Sequence, residues 1–217
     1  MFIKDYISKD FPAFNSTASI EEASETAKEF GYSHIFVKKK GIYQGALSQS
    51  FLEESPDGNL DSLEIHFEKF AILEDGNILD SIKLFHIFNS NVVPVIDKEE
   101  KYLGYLSCDD IFSEFSKYPL YSENGAIMIV QTNSRHYSLT EVCKIVESNN
   151  GKIYGCYISH IDEDFVQITL KMSSDNLSSI DETFERYGYS VVHKYYDDEK
   201  DDLLKDRFGF LQKYMEF

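Results

Sequence analysis

The chain has 217 residues, 42% of them apolar and 27% charged, which is the balance of a folded protein with room for one or two cores and no need of a disulfide or metal staple. Asp and Glu outnumber Lys and Arg 38 to 21, and the excess runs through both halves, net −10 over residues 1–120 and −7 over 121–217. With no basic face for a phosphate backbone or an anionic bilayer, nucleic-acid binding and membrane-surface binding are set aside.

The N-terminus, Met1-Phe2-Ile3-Lys4-Asp5-Tyr6, mixes charge signs and lacks the apolar h-region of a signal peptide. No stretch reaches the ~20 apolar residues of a membrane span, so a cytoplasmic location is expected. An internal repeat follows. Tyr43-Gln44-Gly45-Ala46-Leu47-Ser48 recurs 59 residues later as Tyr102-Leu103-Gly104-Tyr105-Leu106-Ser107, four of the six positions being identical. A short apolar strand precedes each copy, Ile35-Phe36-Val37 and, in the same register, Pro94-Val95-Ile96. A polar turn separates strand from motif, Lys38 to Gly41 in one copy and Asp97 to Glu100 in the other. The first strand follows a helix that opens at the capping box Ser19-Ile20-Glu21-Glu22 and closes at Gly31. The second follows a helix over about 78–88, with Ile78, Ile82 and Phe85 at helical spacing. Further helices are predicted after each motif, over 49–55 and 109–116. Each copy therefore reads short strand, helix, strand, turn, strand, helix.

Lys117 to Gly125 is the predicted boundary, where Pro119 ends the preceding helix. Past it, strands are predicted over 126–131, 152–160, 164–172 and 189–196. A helix opens at the capping box Ser138-Leu139-Thr140-Glu141 and stops at Asn149-Asn150-Gly151; another runs over 177–187 and stops at Gly188. The order is βαββαβ, the split-βαβ sandwich. A last helix is predicted over 201–216, with Leu203, Leu204, Phe208, Leu211 and Tyr214 on one side. That apolar stripe needs a covering surface.

The most informative motif is Gly104-Tyr105-Leu106-Ser107-Cys108-Asp109-Asp110. Gly104 would let a strand edge approach a ligand. Ser107 and the amides of a helix start suit a phosphate. Asp110, one turn into the helix, suits two ribose hydroxyls. Upstream, Val92-Val93-Pro94-Val95 would line a flat base.

On these residues, above all Val93 to Asp97 and Gly104 to Asp110, the pair of repeats resembles a tandem CBS (cystathionine-β-synthase) domain, the Bateman module, over roughly residues 10–117. The βαββαβ half resembles an ACT-type regulatory domain, and the order of the two is similar to acetoin-utilization-type CBS proteins of bacteria. The resemblance implies an α+β protein: a CBS pair over 1–120 (repeats at about 10–56 and 66–117), then a ferredoxin-like ACT-type domain with a C-terminal helix over 121–217. It also implies an adenine nucleotide held through Val93, Pro94, Gly104, Ser107 and Asp110, and a homodimer.

The first repeat departs from the pattern. Gly45 and Ser48 remain, but Phe51 stands where the second repeat has Asp110, Ile35 replaces the strand proline, and His34 precedes it. His34, Gly45 and Ser48 are therefore weaker candidates, and one competent site is expected. In the ACT-like half, the loop Thr132 to Tyr137 lacks the glycine of amino-acid-binding relatives. Arg135, Arg186 and Arg207 are the only arginines, so the CBS-like half has none. Triphosphates usually demand bidentate arginines or several lysines, and Lys38, Lys39 and Lys40 are the only basic cluster in that half, which favours AMP or adenosine over ATP. The cysteines at 108, 143 and 156 are odd in number and form no C-x-x-C pair, and the six histidines show no metal-ligand spacing. No catalytic residues, metal or resident cofactor are expected. The reading is a non-enzymatic regulatory sensor acting on its own ACT-like half or on an unidentified regulated protein; the alternative is an assembly scaffold with non-functional pockets.

Overall fold

The computed structural model describes residues 2–195; the predicted helix over 201–216 lies outside them. Contacts divide the chain into one compact unit ending at Ser116 and a second beginning at Lys117.

The first unit holds two β-α-β-β-α repeats. In the first, β1 (Phe14–Asn15), α1 (Ile20–Phe30), β2 (His34–Lys39), β3 (Ile42–Ser48) and α2 (Gln49–Glu54) follow one another. In the second, β4 (Ile72–Leu73), α3 (Ile78–Ile87), β5 (Val92–Ile96), β6 (Tyr102–Ser107) and α4 (Cys108–Phe115) repeat the order. Each forms a three-stranded sheet whose first pair is parallel and second antiparallel.

Local chemistry sets the helix ends. The Ser19 hydroxyl accepts the Glu22 N–H at 3.1 Å, and Gly31 closes α1 with φ 68°, the left-handed cap that glycine takes without a Cβ penalty. In α3 the inward face is Ile78, Ser81 and Phe85, while Ile82 is 48% exposed. Ser81 tolerates that face because its hydroxyl donates to the Ile78 carbonyl. Pro119 does not end the preceding helix. That helix stops at Phe115, and Pro119 opens a short one, α5 (Pro119–Ser122), at the position where a missing N–H costs nothing.

The repeat register also needs correcting. Ile35 faces Leu47 and Val93 faces Leu106; Phe36 faces Ala46 and Pro94 faces Tyr105. Phe36, not Ile35, therefore occupies the place of Pro94. The second turn is one residue longer, so the upstream strands are offset by 58 residues and the motif strands by 59.

The second unit is β7 (Ala126–Asn133), α6 (Leu139–Ser148), β8 (Ile153–Ile161), β9 (Phe165–Met172), α7 (Leu177–Arg186) and β10 (Ser190–Tyr195), with strand order β10-β7-β9-β8, all neighbours antiparallel. Alternate residues Ala126, Met128 and Val130 of β7 and Val166, Ile168 and Leu170 of β9 are fully buried in one core with Val142 and Val146 of α6 and Ile180 and Phe184 of α7. This period-2 against period-3.6 matching is what a one-sided sheet under two helices requires. Ser138 caps α6 through the Glu141 N–H at 3.2 Å. The Glu141 carboxylate does not close the expected box; it accepts the Tyr189 hydroxyl at 2.9 Å.

Candidate functional site

The motif strand β6 runs directly into α4, and Ser107 marks the junction. Its hydroxyl accepts the N–H groups of Asp109 and Asp110 at 3.2 and 3.4 Å. The residue expected at a phosphate is thus first an N-cap, satisfying orphan amides of its own helix. Asp110 stands exposed in the first turn, and the Ser8 hydroxyl donates to its Oδ2 at 3.3 Å.

Gly104 does not face an open ligand groove. It has φ 150°, and a Cβ there would lie 2.4 Å from the Ser8 carbonyl oxygen and 2.4 Å from Ile7 Cγ2. The backbone that approaches so closely is the N-terminal segment of the same chain. Ser8 and Tyr105 exchange both backbone hydrogen bonds, at 2.9 and 3.0 Å. The next residues anchor that segment. The Tyr105 hydroxyl donates to Asp10 and shares a 2.9 Å hydrogen bond with the Tyr32 hydroxyl. Burial and these two partners push the Tyr105 phenol well above its ordinary range. Phe11, 1% exposed, meets Phe30, Tyr32, Phe36 and Tyr105 edge-on. Val93 and Pro94 are buried in β5, across from Leu106 and Tyr105 of the motif strand.

The first repeat has the same arrangement with different side chains. Gly45 also has φ 150°, and a Cβ on it would meet Phe67 Cβ at 2.7 Å and the Glu68 carbonyl oxygen at 3.1 Å. Ala46 and Glu68 exchange both backbone hydrogen bonds at 2.9 Å. The segment leading into each repeat therefore pairs with the motif strand of the other. Ser48 caps α2 through the Phe51 N–H at 3.2 Å, and the Phe51 ring lies 4.9 Å from that of His66. His34 is buried, with Nε2 3.4 Å from Glu68 Oε1 and Nδ1 3.0 Å from Ser33 Oγ. Burial holds its pKa below the ordinary value, against the raising influence of Glu68.

No family model matches the chain, and no curated protein does. Solved structures do match. The CBS domain pair/ACT domain protein from Thermotoga maritima is 22% identical, covers 53% of this chain and 96% of its own, and has a TM-score of 0.48. The CBS domains of a transcriptional regulator from Streptococcus pneumoniae are 13% identical over 52% of this chain and 98% of theirs, with a TM-score of 0.46. CBSX2, solved in complex with AMP, is 16% identical over 52% of this chain and 95% of its own, with a TM-score of 0.43. Each of these matches covers about half of this chain and nearly all of its own.

Two residues of the second-repeat corner, Ser8 and Asp10, escape sequence reasoning. They lie about a hundred residues from the motif they complete, and nothing in their local pattern marks them. Glu68, the partner of His34, is missed for the same reason. A cavity of about 450 Å³ opens elsewhere in this unit, lined by Tyr43, Gln44, Lys69, Phe70, Ile96 and Glu100 among others; none of the sequence candidates lines it. Among the described residues no cluster of three or more His, Cys, Asp and Glu is arranged to hold a metal ion, and no helix is long and apolar enough to cross a membrane.

Proposed function

We propose that the second repeat binds the ribose of an adenine nucleotide or nucleoside, AMP or adenosine in preference to ATP, and that the chain is a non-enzymatic regulatory protein. The carrying observation is Asp110. Its carboxylate is exposed, sits one turn beyond the Ser107 cap, and its hydrogen bond from Ser8 is 3.3 Å long. A ribose offers two hydroxyl donors to the same oxygens, so ligand and Ser8 compete for them. Ligand binding would then free the N-terminal segment at Ser8 and shift the population between a segment-bound and a released arrangement, which the ACT-like half or a regulated partner reads. The acids Asp10, Asp109 and Asp110 crowd this corner, where Lys9 is the neighbouring cation; that disfavours a triphosphate. Leu79, Ile82 and Ile87 of α3 and Phe112 of α4 are 48–67% exposed, which supports a homodimer that covers them.

Calorimetry with adenosine, AMP, ADP and ATP tests the reading. The expected result is saturation near one ligand per chain with ATP the weakest. Two equivalent sites per chain would remove the argument from Phe51. A second reading, an assembly scaffold without ligand, is favoured by the filling of the Gly104 space by the chain itself. Absence of any heat with all four compounds would select it.

A further inference from the structure

The three cysteines look isolated in the sequence, yet two of them meet. Cys143 lies on α6 and Cys156 on β8, thirteen residues later. The helix packs on that strand; Cys156 lies across from Leu170 and packs against the core that holds Val142 and Val146 of α6, and it is close enough to Cys143 for the two thiols to act on each other. β8 is an edge strand, and both cysteines are only part-buried and unbridged, so a small oxidant has access. The third, Cys108, belongs to the other compact unit.

We infer that Cys143 and Cys156 form a reversible disulfide within the second unit, making it an oxidant-responsive modification site. The chemistry follows from their surroundings. Burial and the neighbouring Cys143 push the Cys156 thiol up to about 12, and the bond changes of the oxidation are the same with the two sulfurs exchanged. With a hydroperoxide as oxidant, the Cys143 sulfur takes the terminal oxygen; the O–O bond breaks, an alcohol or water leaves, and a sulfenic acid forms. The Cys156 sulfur then attacks the Cys143 sulfur. The S–O bond breaks, and the hydroxyl departs as water with the Cys156 proton. Two thiols are oxidised by two electrons and one peroxide is reduced. The product ties the middle of α6 to β8 across a closed loop, which restricts the unfolded chain.

The test uses the full chain, treated briefly with hydrogen peroxide and then denatured for thiol counting and peptide mapping. The expected result is a fall from three thiols per chain to one, a linked peptide holding Cys143 and Cys156, a higher melting temperature, and return to three thiols with dithiothreitol. Cys108→Ser should fall from two thiols to none. Cys143→Ser and Cys156→Ser, with the Ala variants as substitutes if either misfolds, should each keep two. Retention of all three thiols in the wild type, or their loss as sulfinic acids or links between chains, overturns the assignment.

Discussion

After β3, the corner of the first repeat is closed by protein: Phe51 rests beside His66, and Glu68 of the crossing segment is taken up by buried His34. After β6, the same corner holds Asp110, exposed, with Ser8 of the crossing segment on its carboxylate. The backbone is common to both, with a glycine at φ 150°, a paired crossing segment and a serine N-cap. What differs is the side chain at the helix start, the one on the segment, and the one on the upstream strand, His34 in the first repeat and Val92 in the second. Frame and site are thus separable. Gly45, Gly104, Ser48 and Ser107 hold the architecture in both repeats, and the chemistry rests on the pairs Phe51 with Glu68 and Asp110 with Ser8.

Replacing the frame should cost most. Gly104→Ala puts a methyl 2.4 Å from both a backbone oxygen and a side-chain carbon at a φ that L-residues avoid, so overpacking and strain should together destabilise by about 3 kcal/mol. Gly45→Ala meets a 2.7 Å contact with Phe67 Cβ and a carbonyl at 3.1 Å and should lose less. Urea unfolding of both variants checks the order; equal losses would show that the two crossings are equally tight. Replacing the site should spare the frame. Asp110→Ala removes charge-assisted hydrogen bonds worth roughly 1.5–3 kcal/mol, a loss of about one to two decades in affinity for AMP, while the melting temperature should barely move because the group is exposed. Unchanged AMP affinity in a binding-competent wild type would end the ribose assignment.

The frame was largely legible in the sequence because it is written in local chemistry. Ser19, Gly31, Ser138 and the βαββαβ order of the second unit need only neighbours within a few residues to be read. The repeat was legible through six residues that recur. What the sequence concealed is non-local. Gly104 looks like a ligand-facing glycine until Ile7 and Ser8 are seen against it, and no spacing rule links positions 8 and 104. Phe36 and Ile35 are both apolar, so a single-residue offset between strands leaves the pattern intact while moving each side chain to the other face. Cys143 and Cys156 belong to different elements, and only the packing of helix on strand brings them together.

Effects near 1 kcal/mol sharpen the comparison further. Ser107→Ala and Ser48→Ala each remove an N-cap and should each cost about 1 kcal/mol. Similar losses in both repeats, measured by thermal unfolding, mark the serines as frame; a loss of AMP affinity confined to Ser107→Ala would add a ligand contact to its cap. The tyrosines that begin the two copies of the repeated motif should diverge. The Tyr43 hydroxyl donates to the Phe70 carbonyl at 2.8 Å, so Tyr43→Phe should destabilise by about 1 kcal/mol. The equivalent Tyr102 hydroxyl is buried without a partner among the described residues, so Tyr102→Phe should be neutral or stabilising. A loss at Tyr102 matching that at Tyr43 would show that its hydroxyl has found a partner.

The smallest effect concerns pH and belongs to the first repeat alone. Burial lowers the His34 pKa, with Glu68 opposing, so the folded protein holds this imidazole neutral at a pH where the unfolded chain begins to protonate it. Above the unfolded value near 6.5 both states are neutral, and His34 contributes its full stabilisation. As the pH falls through that value the unfolded state binds the proton more readily, and stability declines until the folded pKa is passed. Because Glu68 offsets part of the burial, the decline should be small. His34→Gln should flatten the dependence of unfolding free energy between pH 7 and pH 5 while leaving AMP binding intact, since no counterpart of His34 exists at the second corner, where Val92 faces Ser107 as His34 faces Ser48. An unchanged slope would show that the imidazole is no more reluctant to protonate in the fold than outside it, and a fall in AMP affinity would mean that the first repeat takes part in binding after all.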